Sequence, residues 1–206
     1  RDTWWFRREF VVPETDRDSD RFELELQGVS LFATVWLNGS PVGFLHNAHV
    51  AHRLDVTRDI NRAGRNVLAI ECSLAYDEMR KRIRTEISGT GDNVRSYVRL
   101  CQMSFGWDFA PRLVVIGPWR PVSLICHKRA AVETIFVNTR TIAAGAADLS
   151  IDVQTRFVRR MESTPELHLS IHENEGTPPV WEHTCPIHGD GRITAEAHLL
   201  SARLWY

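Results

Sequence analysis

The chain has 206 residues, 43% of them hydrophobic and 25% charged, and a net charge of −1. That length suits one large or two modest domains of ordinary globular composition. The near-neutral charge gives no basic footprint for nucleic acid or an anionic membrane, and no apolar run reaches the roughly 20 residues that span a bilayer. Lys81 and Lys128 are the only lysines, so the arginine excess reads as coding bias rather than as a binding patch. The cysteines Cys72, Cys101, Cys126 and Cys185 form no Cys-x-x-Cys pair, and Cys72 and Cys126 lie in strand-like apolar runs where buried free thiols are common. This usage leads us to expect a reducing compartment, the cytoplasm. The chain starts at Arg1 and stops at Leu204-Trp205-Tyr206 in mid-pattern, which reads as a piece of a longer protein.

Period-two alternation dominates, so the fold class expected is all-β. Strands are predicted over Trp5 to Val12 and Arg21 to Gln27. Ala33 to Leu37 then runs into Asn38-Gly39, a hairpin pair whose residues both tolerate positive φ. Pro41 to His46 returns from that turn. Val50 to Val56 follows, with Thr57 as a cap for a helical turn over Arg58 to Asn61. The Ala63-Gly64-Arg65-Asn66 turn leads into Val67 to Ser73. From Tyr76 to Gln102 the alternation stops, and so long a connection reads as a functional loop. Strands resume at Leu113 to Ile116 and Val122 to Cys126.

The Lys128-Arg129-Ala130-Ala131 joint reads as a boundary between residues 1–128 and residues 129–206. Beyond it, strands are predicted over Val132 to Arg140, Ala147 to Val158, Glu166 to His172, Val180 to Thr184 and Arg192 to Leu200, separated by Gly- and Pro-rich turns. An immunoglobulin-like sandwich needs about 100 residues and seven strands. Five candidate strands are present here, so a truncated second sandwich is expected.

The block carrying chemistry is Phe105-Gly106-Trp107-Asp108-Phe109-Ala110-Pro111-Arg112, followed by Gly117-Pro118-Trp119-Arg120-Pro121-Val122. An indole beside a carboxylate can cover the apolar C–H face of a pyranose while accepting hydrogen bonds from its hydroxyls. The block resembles the Trp-Asp-Trp-Gly-Pro segment that ends the first domain of β-mannosidases in glycoside hydrolase family 2. Gly28-Val29, Ala33-Thr-Val-Trp-Leu-Asn-Gly39, Val42-Gly43, Asn47, His49, Leu54-Asp55-Val56-Thr57 and Gly64-x-Asn66-x-Leu68 extend the resemblance over residues 4 to 126. Ala202-Arg203-Leu204-Trp205 is similar to the Leu-Trp that family members place before their last sandwich strands.

The resemblance implies a jelly-roll, galactose-binding-like β-sandwich followed by an immunoglobulin-like β-sandwich, with a TIM barrel beyond. It implies a retaining hydrolase of terminal β-linked sugars with no cofactor, and a non-catalytic role for this piece. Retention needs two carboxyl groups about 5–5.5 Å apart, and the family's pair comes from the barrel. Trp107 and Asp108 inherit the role of substrate contacts, Asp108 as acceptor from ring hydroxyls and Trp107 as a wall. The implied partners are a carbohydrate, a terminal β-mannoside or related β-glycoside, and the barrel of the same parent chain. The family pattern has Trp and Gly where this chain has Phe109 and Ala110, and Ile where it has Pro118. Phe lacks the indole N–H, and Ala disfavours the positive φ open to Gly.

Plainer alternatives stand beside each of these readings. Trp107-Asp108 also fits a core tryptophan with a turn aspartate. Trp4, Trp5, Trp36, Trp119, Trp181 and Trp205 read as core or interdomain aromatics. His46, His49 and His52 sit in strand and loop, where a spacing of three scatters side chains over both faces and disfavours a shared metal. His183, Cys185 and His188 lack the ligand count of a zinc site. Asn174-Glu175 copies the family's acid/base dipeptide but reads as a hairpin tip, and Arg80-Lys81-Arg82-x-Arg84 reads as a solvated loop. Two further function classes fit the same residues: an autonomous carbohydrate-binding module, and a sandwich pair used only for interdomain packing or dimerisation.

Overall fold

The computed structural model describes residues 3–73, 94–159 and 162–203. The arginine-rich stretch at 80–84, the first part of the 76–102 connection and Leu204 to Tyr206 lie outside the described residues. The chain is all-β and divides into two compact units, Arg1–Cys126 and His127–Tyr206. No helix among the described residues is long and apolar enough to cross a membrane.

In the first unit the strands are β1 (Thr3–Val11), β2 (Arg21–Leu26), β3 (Val29–Ser30), β4 (Phe32–Leu37), β5 (Ser40–Leu45), β6 (His52–Asp55), β7 (Arg65–Ser73), β8 (Gly117–Pro118) and β9 (Val122–His127). They form a four-stranded sheet in the order β1-β7-β4-β5, a three-stranded sheet β6-β2-β9 and a short pair β3-β8. Alternation explains the layering. Leu24 and Leu26 of β2 meet Ala33, Val35 and Leu37 of β4 and Leu68, Ile70 and Cys72 of β7 in one core, while the intervening residues face away. Burial pushes the Cys72 thiol up to about 11, so it stays an unreactive packing group at neutral pH.

Asn38 and Gly39 both take positive φ, 52° and 89°, as the β4–β5 hairpin requires. The Asn38 side chain then reaches out of the turn. Its amide donates to Oδ1 of Asn66 at 2.9 Å, and its own Oδ1 accepts from the Val67 N–H at 2.9 Å. Asn66, fully buried, in turn accepts from the Asn61 N–H at 2.7 Å and donates to the Asn61 carbonyl at 2.8 Å. Thr57 does not cap a helix. Its hydroxyl accepts from the Phe22 N–H at 3.0 Å and donates to Asp55 at 2.6 Å, so it ties the end of β6 to β2.

The second unit contains β10 (Ala130–Ala143), β11 (Ala146–Phe157), β12 (Glu166–His172), β13 (Pro179–Pro186) and β14 (Gly191–Leu199). β10-β11-β14 form one sheet and β12-β13 the other. Ile151, Val153 and Ala197 from the first sheet pack with Leu167, Leu169 and Trp181 from the second. Ala144 and Gly145, both at positive φ, make the β10–β11 turn. Asn174-Glu175 lies in the β12–β13 connection, where the Thr177 N–H donates to the Asn174 carbonyl. On β11, Asp152 accepts hydrogen bonds from Arg192 and from Thr194.

Asn66→Ala leaves buried donors and acceptors of the Asn61 and Asn38 loops unpaired. We expect it to cost about 2–3 kcal/mol in denaturant unfolding, the scale of unsatisfied buried polar groups. Hydrogen bonding from Arg192, then from Thr194, holds the Asp152 carboxyl below the usual range. A lowered folded-state value adds stability that is full above the unfolded value of about 4 and fades as pH falls through the folded value. Thermal unfolding from pH 7 to 2.5 should therefore show the advantage of the native chain over Asp152→Asn shrinking below about pH 4.

Candidate functional site

The segment from Val94 to Pro121 carries Trp107 and Asp108, and it is held by a small core of its own. Leu31, Phe32 and Ala48 bury against Val98 and Leu100, with Phe105 and Val114 packed at the edge. Phe32 belongs to β4, yet its side chain points opposite to Ala33 and Val35, so one strand serves two cores. The backbone is stitched at the same place. Arg99 bridges Asn47, and its carbonyl accepts from the Ala48 N–H at 3.0 Å.

Two short 3₁₀ turns follow from this anchoring, over Val94–Tyr97 and Gln102–Phe105. The Gln102 side-chain amide donates to the Arg95 carbonyl at 2.9 Å and joins the two. Gly106 leaves the second turn at φ 99°, a conformation a side chain would strain. Trp107 and Ala110 then pair through both N–H groups, at 3.1 and 3.3 Å, and put Asp108 and Phe109 at the tip of a tight turn. Ala110 keeps a negative φ, so this turn closes without the glycine of the family pattern.

Trp107 is 51% exposed and Phe109 71% exposed. Trp107 is therefore no core residue. Asp108 between them is exposed and makes no hydrogen bond or ion pair with a described residue. The guanidinium of Arg95 lies 5.7 Å from the centroid of the Trp107 ring. The arrangement is one unpaired carboxylate flanked by two exposed aromatic rings, which can accept hydroxyl hydrogen bonds and cover apolar C–H groups.

The strand predicted over Leu113 to Ile116 does not form. Only Gly117–Pro118 pairs, with Val29–Ser30, and the Val115 carbonyl accepts from the Ser30 hydroxyl at 2.6 Å rather than from a ladder. Trp119 returns the chain to the sandwich. Its indole N–H donates to the Ala48 carbonyl at 3.0 Å, and the Arg120 guanidinium sits 4.6 Å from its ring centroid. Gly28 lies so close to the same indole that a Cβ there would come within 2.7 Å of it. Trp119 is thus a strut. Trp4 and Trp5 are exposed, and Trp181 stacks on His183 at 5.8 Å. His46 stacks on Phe44, His49 meets the edge of Trp119, and Nε2 of His52 lies 3.2 Å from the Asn47 carbonyl. A cleft of about 530 Å³ opens between β1 and β9, lined by Phe6, Phe10, Val122 and Arg120, but neither Trp107 nor Asp108 borders it.

Sequence reasoning did not find Arg95, Gln102 or the Leu31-Phe32 anchor. The available signal was the Val98-x-Leu100 pair, one of several apolar positions in a charged connection that also holds Met79, Ile83, Ile87 and Val94. Trp119→Phe removes one hydrogen bond and leaves the Ala48 carbonyl without its indole donor. Denaturant unfolding should register a loss of about 1–2 kcal/mol.

A family model described as the glycosyl hydrolase 2 galactose-binding domain-like domain matches residues 1–120. The chain is 35% identical over 210 residues to a protein named β-mannosidase B from Aspergillus clavatus, covering 99% of this chain and 24% of that protein. Among solved structures it is similar to a β-D-mannosidase from Dictyoglomus thermophilum, with TM-score 0.80, 22% identity, and coverage of 99% of this chain and 25% of the other. A β-glucuronidase from Bifidobacterium dentium aligns at TM-score 0.67 with 21% identity, over 98% of this chain and 34% of the other. The chain spans about a quarter of the length of the β-mannosidase relative. A galactose-binding-like sandwich over its first 120 residues and extended identity to β-mannosidase B place this chain in glycoside hydrolase family 2, as an N-terminal part of a β-mannosidase-like protein.

Proposed function

We propose that the chain is the non-catalytic N-terminal portion of a retaining hydrolase of terminal β-mannosides, and that it lends Trp107 and Asp108 to the sugar site. The observation that carries this reading is the exposed, unpartnered Asp108 carboxylate between Trp107 and Phe109, on a turn fixed to the sandwich. Such a carboxylate suits hydroxyl hydrogen bonds. The relatives' name, β-mannosidase B, supports mannose as the sugar. Catalysis is assigned to a barrel further along the parent chain, since a pair of carboxyl groups about 5–5.5 Å apart is needed and this turn supplies one carboxylate. The second unit, with five strands in two sheets among its described residues, suits an immunoglobulin-like β-sandwich. The free thiols favour a reducing compartment, the cytoplasm.

The test is hydrolysis of aryl β-mannoside, β-galactoside and β-glucuronide by the full-length gene product. Preference for the mannoside is expected, and preference for another sugar overturns the substrate assignment. Asp108→Ala should lower kcat/KM about 10- to 100-fold, the loss of one or two hydrogen bonds to a charged acceptor. An unchanged value would leave the sandwich pair with a packing role only. This 206-residue chain alone should hydrolyse nothing and show no measurable affinity for mannose, whereas clear affinity would mark an autonomous binding module.

A further inference from the structure

Trp107 is half-exposed on a turn tip, where an indole has few neighbours to fix it. Arg95 supplies one. Its guanidinium lies over the ring at 5.7 Å, and no carboxylate of a described residue pairs with it. The Arg95 backbone is itself held, since its carbonyl accepts from the Gln102 amide at 2.9 Å and Gln102 opens the 3₁₀ turn that leads into Trp107. Val98 and Leu100, buried under the same segment, seat both residues on one small core. A cation held over an indole within about 6 Å of its centroid is attracted by the ring quadrupole and crowds the face it lies over.

We infer that Arg95 is a positioning residue for the sugar wall: it fixes the Trp107 indole and occupies one ring face, leaving the opposite face for a pyranose. This rests on the proposed role of Trp107 and Asp108 in sugar binding. Arg95 acts through Trp107, so its effect falls on substrate binding rather than on bond cleavage.

The test is a kinetic cycle in the full-length gene product, using whichever of the three aryl β-glycosides it cleaves fastest. Arg95→Met, which keeps length but removes the cation, should raise KM about two- to five-fold with kcat little changed and the unfolding temperature unmoved. Arg95→Lys should recover part of that loss. In a Trp107→Ala background Arg95→Met should do nothing further, because coupled residues are non-additive. Equal losses in both backgrounds, or a lysine no better than methionine, would overturn the inference. A silent Arg95→Met beside harmful Trp107→Ala and Asp108→Ala would overturn it alone. If Trp107→Ala and Asp108→Ala are both harmless, or no glycoside is cleaved, the sugar-site reading falls and the inference with it.

Discussion

The site depends on the burial of Leu31 and Phe32 against Val98 and Leu100. A connection as long as the one between β7 and β8 would cost much conformational entropy to hold still, and hydrogen bonds to solvent-exposed backbone give little in return. A few apolar side chains removed from water offset that cost, at roughly 1.5–3 kcal/mol for each large one. Phe32 makes this possible because β4 is buried on both faces at its start, with Ala33 and Val35 in the main core and Phe32 in the smaller one. A strand that faced water on one side would have left the loop unsupported.

Polar contacts then set direction. The Ser30 hydroxyl, the Ala48 N–H and carbonyl, and the Gly28 carbonyl engage Val115, Arg99, Trp119 and Arg120, so the described segment is tied at Arg99 and again over 115–120. Gly117 shows how tight that closure is: its φ is 111° and a Cβ there would approach Phe6 to 2.3 Å. Between the ties, the Trp107–Ala110 turn projects exposed aromatic surface together with one carboxylate. Met103, Leu113 and Val115 on the same segment are exposed as well. Such concentration of apolar area on one loop is costly in water and is characteristic of a surface that meets something else.

Much of the fold was legible in the sequence. The strand pattern, the Asn38-Gly39 hairpin and the turn at Asn174-Glu175 rest on local chemistry, namely alternation and the tolerance of Asn and Gly for positive φ. Leu113 to Ile116 has the right alternation but pairs with no strand among the described residues, and its Val115 carbonyl accepts from a serine hydroxyl instead. Thr57 has the residue type of a helix cap and instead ties β6 to β2, since Phe22 presents an N–H at that point. In both cases the local signal was real and a partner distant in sequence redirected it.

The candidate site divides in the same way. Trp107 and Asp108 were named from the sequence because their segment resembles the Trp-Asp-Trp-Gly-Pro block of family 2 β-mannosidases, the indole beside a carboxylate being chemistry that suits the role the resemblance implies. Whether that indole is buried or exposed could not be read there, nor that Trp119, only twelve residues on, is a strut closed by Gly28 and Arg120. Arg95 is equally silent in the sequence, one arginine among many until its guanidinium is found over the Trp107 ring. Sequence by itself determined which residues alternate, turn and carry charge, since those properties are fixed by each side chain and its immediate neighbours. Only the tertiary structure decided which indole is hydrogen-bonded into the sandwich and which sits on a turn tip, because that depends on surfaces brought together from β3, β4 and the loop beyond β7.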